Sequence, residues 1–379
     1  MNKFAPPKRL QGIEKSVIRQ VFDRAQPGSI NLGLGEPDLP TPDVIRRAAV
    51  KAIVEEQNGY TSHAGLPSLR EKVAGDYAYL EQRPERVIIT AGSQEALYLA
   101  LLALVDEGDE VLLPNPGFVA YPTIVRMAGG TASFYRLPRA LGFEFDIEDF
   151  RRALTPRTKV VVCISPSNPT GRVLSEKDLA SIADALKDHG AYLISDEIYR
   201  DLYYTVARPG SLSSFYERTI VIGGLSKSMS MTGWRLGWLC GDDVVVQRAL
   251  VLHGYVTTCA SAVSQKASLV AWSDEAERAR ARFRETFRAR RDHLLALFES
   301  ELGLRAVTPE GAFYTMLDVS EYGPSMRVAE ALLEERVITV PGAAFGSESE
   351  GFLRVSFCAD NDTLAEGVQR IKRGLKALA

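Results

Sequence analysis

Cysteine and histidine are both scarce in this sequence, which contains only four of each among 379 residues. Cys163, Cys240, Cys259 and Cys358 lie too far apart along the chain to form a metal-binding knuckle or a paired redox motif. With so few histidines, a zinc site built from Cys and His is not indicated either. We therefore predict no metal site, and we expect reduced cysteines that pack as small apolar residues in a cytoplasmic protein.

A strong net charge and a long hydrophobic run are also missing. Lys and Arg total 45 against 48 Asp and Glu, which gives a formal charge of −3. That balance gives no reason to expect nucleic acid or an anionic membrane surface as a partner. The longest uncharged apolar run, residues 96–105, is about half as long as a helix that crosses a bilayer. We expect no signal peptide, because the basic first residues have no apolar segment behind them.

Apolar segments alternate with amphipathic segments through the middle of the chain. The apolar segments are rich in Val and Ile and do not alternate strictly, which is typical of strands covered on both faces. One amphipathic segment starts at Ser175 with Asp178 three residues later, close to a capping box, and Gly190 is placed to end it. The pattern predicts an α/β fold with a mainly parallel, doubly wound sheet. The predicted strands are residues 87–90, 110–113, 159–165, 191–196, 219–223 and 235–240.

The sequence changes in character after residue 272. A long charged helix is predicted over 273–302, then short strands near 311–317, 336–340 and 353–357, and a final helix over 362–378. We predict a large domain at 45–272 and a smaller α+β domain formed by residues 1–44 and 273–379. The long helix carries seven arginines between positions 278 and 291. Acidic residues alternate with them, so we interpret this helix as having a solvated face and not as a nucleic-acid surface.

The segment that carries most chemical information surrounds Lys227. This lysine follows a predicted strand and the pair Gly223-Gly224, and Arg235 lies eight residues later between glycines. A lysine amine at the end of a strand can form a Schiff base, and an arginine can bind a phosphate with two parallel hydrogen bonds. Taken alone, however, a lysine after a strand is usually only an exposed residue.

Three further segments follow predicted strands. Asp196 ends one strand, and its carboxylate could hold a proton on a heteroaromatic nitrogen; the alternative is that it only caps a helix. Tyr199 could donate a hydrogen bond to a phenolate oxygen; the alternative is a tyrosine that only packs. Asn168 lies in the turn Asn-Pro-Thr-Gly. The amides of residues 92–94 would form an anion site at a helix start, or only a glycine turn with a serine cap.

In this order, the four segments resemble the fold-type I pyridoxal-phosphate enzymes, and specifically the class I/II aminotransferases of the aspartate/aromatic type, from residue 34 to residue 357. The resemblance implies pyridoxal 5'-phosphate as cofactor. It implies that Lys227 forms an aldimine with the cofactor and moves a proton during the reaction. It also implies that Asp196 faces the pyridine nitrogen and that Asn168 and Tyr199 hydrogen-bond the ring oxygen.

The same resemblance assigns the remaining site residues. Gly92, Ser93, Gln94 and Arg235 would bind the phosphate, and Phe118 would stack on the ring. Tyr60 would reach the phosphate of a neighbouring subunit, which implies a homodimer with shared active sites. The substrate α-carboxylate would be bound by Arg354, with Asn168 and the amide of Gly35 beside it. Cis peptide bonds are implied at Asn115–Pro116 and Asn168–Pro169.

The implied function is transfer of the amino group of an L-amino acid to a 2-oxo acid. The alternative is another reaction on the same scaffold, such as a cysteine-conjugate β-lyase or a decarboxylase, because these share the same core residues. Gly224 stands where the family often has a serine that touches the phosphate, and Ser226 is a candidate substitute. Leu39 and His63 depart from the family pattern near the substrate mouth, so the preferred amino donor and acceptor stay open.

Overall fold

The computed structural model describes residues 7, 10–55, 57–205 and 207–378. Its centre is a seven-stranded sheet in the order β2-β8-β7-β6-β5-β3-β4. The pairs β4–β3, β3–β5, β5–β6 and β6–β7 are parallel, whereas β8 runs antiparallel to both β7 and β2. The predicted α/β fold with a mainly parallel sheet is therefore confirmed. The strands are β2 (Val87–Thr90), β3 (Glu110–Asn115), β4 (Thr131–Arg136), β5 (Thr158–Ile164), β6 (Tyr192–Asp196), β7 (Thr219–Gly224) and β8 (Gly237–Cys240).

Strand β4 was not predicted, because its sequence carries little of the apolar signal of the others. It lies at the edge of the sheet, and only Tyr135 is fully buried in it. Strand β8 begins at Gly237 instead of residue 235, since Arg235 has a φ of 53° and leaves the extended conformation. An edge strand and a left-handed residue both depend on tertiary context that the local sequence does not contain.

Helices cover both faces of this sheet. The predicted capping box at Ser175 and Asp178 is present at the start of α7, and Gly190 ends that helix with a φ of 78°. The helices of this part of the chain are α2 (Asp43–Glu55), α3 (Pro67–Gly75), α4 (Ser93–Leu104), α5 (Tyr121–Met127), α6 (Ile147–Ala153), α7 (Glu176–His189), α8 (Asp243–Val256) and α9 (Ala262–Ser268). Among the described residues, no helix combines the length and the apolarity that crossing a bilayer requires.

The C-terminal part forms a three-stranded antiparallel sheet in the order β11-β12-β9, covered by helices. Residues near the N-terminus join it, because β1 (Ile30–Asn31) pairs in parallel with β10, and Val21 of α1 (Val17–Asp23) packs with Leu333 and Ile338. The strands and helices are β9 (Tyr314–Asp318), β10 (Val337–Ile338), β11 (Val340–Pro341), β12 (Phe352–Ser356), α10 (Asp274–Leu297, followed by a π-helical turn, Phe298–Leu302), α11 (Ser325–Glu334) and α12 (Asn361–Lys376).

The solvated face predicted for α10 does not include all of its arginines. Arg280 and Arg290 are each only 8% exposed. Arg290 donates to both carboxylate oxygens of Asp38 at 2.6 and 2.9 Å and to the Cys358 carbonyl at 2.5 Å. The helix therefore uses the buried Arg290 to bind the loop that follows β1, and the stem of this long side chain packs while its charge is paired.

The four cysteines are free of disulfides. Cys163, Cys240 and Cys358 are buried, as expected for small apolar residues, whereas Cys259 is half-buried. The cis peptide bonds implied at Asn115–Pro116 and Asn168–Pro169 are both present, and a third occurs at Ser165–Pro166.

Candidate active site

Lys227 lies three residues beyond the end of β7, at the carboxyl edge of the large sheet. Its Nζ donates a hydrogen bond to the Gly35 carbonyl at 2.7 Å. Burial lowers the pKa of Lys227 to about 8. A larger fraction of this amine is therefore uncharged near neutral pH than for an ordinary lysine, which favours its action as a nucleophile or base.

Asp196 ends β6, the strand next to β7, and is 6% exposed. Its Oδ2 accepts a hydrogen bond from the Tyr121 hydroxyl at 2.8 Å, and its Oδ1 accepts one from the Ile198 amide at 3.2 Å. Burial nevertheless raises the pKa of Asp196 to about 6, against the lowering effect of these hydrogen bonds. A buried carboxylate in this state is stabilised by any cationic group that binds beside it.

Phe118 joins this group through Tyr121. The two rings meet edge to face, with centroids 5.5 Å apart. Phe118 is half-buried and follows the segment that carries the cis bond Asn115–Pro116. Phe118, Tyr121 and Asp196 thus form one packed set along the carboxyl edge of the sheet.

Arg354 lies in β12 and is 2% exposed. Its Nη1 donates to Asn168 Oδ1 at 2.8 Å and its Nη2 to the Gly33 carbonyl at 2.5 Å. Its Nε is buried and has no acceptor in the described structure. Both acceptors are uncharged oxygens, and no ion pair joins this guanidinium to a carboxylate among the described residues, so a buried cation is left without a counter-charge. That combination marks Arg354 as a binding group for an anion.

Tyr199 and Tyr314 connect the large sheet to β9. Their hydroxyl oxygens are 2.9 Å apart, and both side chains are buried. The Tyr314 ring also lies beneath the Arg354 guanidinium, with Cζ 4.3 Å from the ring centroid. Because Arg354 and Lys227 both contact the segment Gly33–Gly35, all of these side chains belong to one connected cluster.

The predicted phosphate-binding residues meet at the start of α4. Gly92 is the N-cap of this helix with a φ of 96°, and Ser93 and Gln94 form its first turn. The first amides of a helix have no intrahelical acceptor, so they are available to an anion. Arg235 donates to the Ala91 carbonyl at 3.3 Å, and a Cβ on Gly92 would lie 2.5 Å from Arg235 Nη2. Glycine is therefore needed at position 92 for both its backbone conformation and this close approach.

Glu95 supports the same turn and was not identified from the sequence. Its carboxylate accepts a hydrogen bond from the Ala91 amide, and its other oxygen lies 3.0 Å from Nδ1 of the fully buried His253. Burial raises the pKa of Glu95, but hydrogen bonds from His253, Thr257 and Ala91 outweigh it, so the net pKa is lowered. The carboxylate consequently stays ionised and holds the turn before α4.

Tyr60 is the one predicted site residue that the described structure leaves apart from the cluster. It is 89% exposed and hydrogen-bonds to none of the site residues that the structure describes. The other predicted residues come together from six stretches of chain: Gly35, the turn 92–94, Phe118, the segment 168–199, the segment 227–235 and Arg354. Their individual roles remain proposals.

Tyr121 and Tyr314 contact the site although sequence analysis did not single them out. Tyr121 lies three residues after Phe118, at the start of α5, and its amide donates to the Phe118 carbonyl at 3.1 Å; this closeness in sequence is a signal that could have been used. Tyr314 lies within the predicted short strand near 311–317 and has no motif of its own. Its role depends on contacts with Gly35, Tyr199 and Arg354, which are distant in sequence.

The donor set fits pyridoxal phosphate on structural grounds. A helix N-terminus with Arg235 beside it suits a phosphate, and the glycines there leave room that a Cβ would fill, since one on Gly237 would lie 2.5 Å from the Ser93 amide nitrogen. The buried Asp196 suits a protonated ring nitrogen, and the amine of Lys227 suits an aldehyde.

Comparison with known proteins identifies the family. The model for "Aminotransferase class I and II" matches residues 27–371. The aspartate/prephenate aminotransferase of Thermus thermophilus is 39% identical over 354 residues, with 91% of each chain covered. The probable aspartate aminotransferase of Methanocaldococcus jannaschii is 35% identical over 377 residues, which cover 96% of this chain and 98% of that one. A solved structure of the aspartate aminotransferase from Thermus thermophilus with maleate superposes with a TM-score of 0.91 at 35% identity, over 98% of this chain and 100% of that chain. This chain therefore belongs to the class I and II aminotransferases, and its activity is pyridoxal-phosphate-dependent transamination.

Proposed function

We propose that Lys227 is the residue through which this chain holds pyridoxal phosphate and moves the proton during amino transfer. The observation that carries this proposal is the buried amine with a pKa lowered to about 8, placed at the carboxyl edge of the sheet. When bound, the cofactor supplies an electron-accepting ring that stabilises negative charge on the substrate Cα. Lys227 removes the proton from Cα, and its flexible stem lets the same amine return the proton at a neighbouring atom.

Asp196 and Tyr199 would bind two different polar atoms of the cofactor ring in this proposal. The Asp196 carboxylate keeps a proton on the ring nitrogen, because a positive charge beside a buried carboxylate is favoured. Tyr199 and Asn168 hold the ring oxygen by hydrogen bonds, and Phe118 covers one face of the ring. Burial around Asp196, which is 6% exposed, excludes water and strengthens these interactions.

The phosphate is held by the turn at Gly92, Ser93 and Gln94 together with Arg235. The amides of this turn and the helix dipole stabilise negative charge, and the arginine adds a full positive charge. By holding the phosphate, these residues would keep the cofactor in place before substrate binds, which would reduce the entropic cost of aligning the reacting atoms.

The substrate is oriented by Arg354 and the amide of Gly35. The buried guanidinium has an unpartnered Nε and no carboxylate near it among the described residues, so an α-carboxylate would satisfy both needs. Relatives are named for aspartate, prephenate and aromatic amino acids as substrates. We infer that an amino acid of this acidic or aromatic group is the donor and that a 2-oxo acid such as 2-oxoglutarate is the acceptor.

We further propose a homodimer in which Tyr60 reaches the phosphate of the other subunit. Support comes from apolar side chains left exposed on one region of the large domain, where Tyr60 is 89% and Tyr255 90% exposed. His63, three residues after Tyr60, packs close to Gly254 of α8. This contact places the Tyr60 segment beside the helix that carries Tyr255. Further exposed apolar residues lie on α2 (Val50, Ile53 and Val54) and on α8 (Val251 and Val256).

The domain boundaries and the location also belong to this proposal. A large domain at 45–272 and a small domain of 1–44 with 273–379 are supported by the pairing of β1 with β10. A cytoplasmic location is supported by the four free cysteines.

The experiment that tests the proposed catalytic group compares Lys227→Ala with Lys177→Ala, an exposed lysine at the start of α7. A panel of amino donors is incubated with 2-oxoglutarate, and the new amino acid and 2-oxo acid are quantified. We expect Lys227→Ala to lose roughly three orders of magnitude in rate or more, and Lys177→Ala to lose nothing measurable. Wild-type-like transfer by Lys227→Ala would overturn the proposal.

The β-lyase alternative is separated in the same assay. A cysteine conjugate would yield pyruvate and ammonia without a new amino acid if elimination were the main reaction. The cited relatives are named as aminotransferases, and none of them favours that alternative.

A further inference from the structure

Tyr314 is a buried tyrosine of β9 that contacts three parts of the proposed site at once. It is 2% exposed. Its hydroxyl oxygen is 2.9 Å from that of Tyr199, and its ring lies beneath the Arg354 guanidinium. A Cβ on Gly35 would lie 1.6 Å from the Tyr314 hydroxyl oxygen, so this hydroxyl occupies the space that a side chain at position 35 would need. The tyrosine is therefore built into the site, not merely adjacent to it.

Proton counting decides the direction of the hydrogen bond between the two tyrosines. Each hydroxyl has a single proton to donate and two lone pairs that accept. In the proposed function, Tyr199 donates its proton to the ring oxygen of the cofactor. Its bond with Tyr314 must then use the proton of Tyr314, with the Tyr199 oxygen as acceptor.

We propose that Tyr314 is a positioning residue that donates its proton to Tyr199 and thereby strengthens the hydrogen bond from Tyr199 to the cofactor's ring oxygen. This inference rests on the proposed function of Tyr199. A hydroxyl that accepts one hydrogen bond becomes a stronger donor in the next, because each bond polarises the other. Tyr314 does not touch the reacting atoms itself, and it acts through Tyr199.

The surroundings keep this arrangement fixed. Burial raises the pKa of Tyr314 to about 12, so its proton stays in place throughout the physiological pH range. The ring is held edge to face against Phe313 at 4.8 Å and against Tyr199 at 5.8 Å. Since Tyr314 lies in β9 and Tyr199 follows β6, the bond also joins the C-terminal sheet to the large sheet at the site.

The test is the pH titration of the visible absorption of the cofactor-loaded protein. A hydrogen bond to the ring oxygen favours that oxygen as an anion, and so favours the deprotonated chromophore. Tyr314→Phe removes only the hydroxyl and keeps the ring beneath Arg354. We expect the apparent pKa of the chromophore to rise by roughly half a unit, because part of one hydrogen bond is lost.

A double-variant comparison separates this inference from the proposed function. Tyr199→Phe should raise the chromophore pKa by more than Tyr314→Phe does, and adding Tyr314→Phe to Tyr199→Phe should cause no further rise. If Tyr199→Phe leaves the titration unchanged, the proposed function of Tyr199 fails. If Tyr199→Phe shifts it and Tyr314→Phe does not, only the role of Tyr314 fails.

Two further measurements exclude a general structural effect. Tyr216→Phe removes another buried hydroxyl, which donates to the Ala191 carbonyl at 2.7 Å at a position distant in the fold, and it should leave the titration unchanged. Replacing Tyr314 with 3-fluorotyrosine leaves no cavity and makes the hydroxyl a stronger donor, so the chromophore pKa should fall. A shift in the same direction for the phenylalanine and fluorotyrosine forms would overturn the inference.

Discussion

Asp196 combines burial with a function that needs its charge. Burial raises the pKa of its carboxyl group to about 6 in the protein without cofactor. The folded protein then binds a proton more readily than the unfolded chain, so stability is greatest below the unfolded pKa near 4 and falls as the pH rises through about 6. A cationic ring nitrogen beside the carboxylate would remove this loss.

We predict the following for the cofactor-free protein. Between pH 4 and pH 6.5, wild type should lose about 2 kcal/mol of unfolding free energy relative to Asp196→Asn, which carries no titrating group there. Urea unfolding at a series of pH values measures the difference between the two proteins. Loading the cofactor should flatten the wild-type curve relative to the variant. Parallel curves for wild type and variant without cofactor would contradict the assigned pKa.

Residues with a local signature were the ones that the sequence predicted. Lys227, Asp196 and Asn168 each follow a strand at the edge where parallel strands end, so their types and positions already indicated chemistry. Tyr314 and Glu95 have no such signature. Their contacts arise when β9 and α8 pack against the large sheet, and no spacing along the chain reports that packing.

At the scale of elements, α10 shows where charge patterning misleads. Arg290 and Arg282 lie on the same helix in the same arginine-rich run, yet Arg290 is 8% exposed and Arg282 is exposed. Arg290 makes three hydrogen bonds to Asp38 and Cys358, which fix the loop that carries Gly35. An alternating charge pattern is equally compatible with both situations, so burial could not be predicted residue by residue.

The two arginines therefore form a matched pair of variants. Arg290→Met should destabilise the protein by about 2 kcal/mol, because it leaves the Asp38 carboxylate and the Cys358 carbonyl without their hydrogen-bond donor. The loss is smaller than for a fully buried ion pair because Asp38 is partly exposed. Arg282→Met should change the unfolding free energy by less than about 0.5 kcal/mol. Chemical denaturation with the cofactor bound measures both. Equal effects of the two variants would contradict the anchoring role of Arg290.

The accuracy of the strand predictions also depended on burial. Strands covered on both faces, such as β2, β5 and β6, have continuous apolar sequences and were located within one or two residues. The edge strand β4 was missed because only one of its side chains is fully buried. The short strand predicted near 336–340 is divided into β10 and β11, because β10 pairs with β1 and β11 pairs with β12. Local propensity does not encode such distant pairing.

At the scale of the whole molecule, Tyr60 tests whether sites are shared between subunits. It is 89% exposed here, among apolar side chains that a dimer would cover. Lys227→Ala and Tyr60→Ala should each be impaired alone when the cofactor is limiting. Unfolding and refolding the two together should restore about a quarter of wild-type activity, because half of the dimers would be hybrids with one native site each.

The control for this experiment mixes Lys227→Ala with Arg354→Ala. Both residues belong to the same subunit's site in the proposed arrangement, so a hybrid dimer would carry one Lys227→Ala site and one Arg354→Ala site. A hybrid site free of both substitutions would arise only if the two residues came from different subunits. In the proposed geometry each hybrid site lacks one of them, and no activity should return. Recovery in this control, or none with Tyr60→Ala, would contradict the shared site.

The most direct test of the account is the place of covalent attachment of the cofactor. The loaded protein is reduced with borohydride, its mass is measured, and the modified peptide is sequenced. We predict one cofactor per chain, attached at Lys227, and no adduct in Lys227→Ala. A stable adduct on another lysine, or a wild-type protein whose mass does not change, would contradict it.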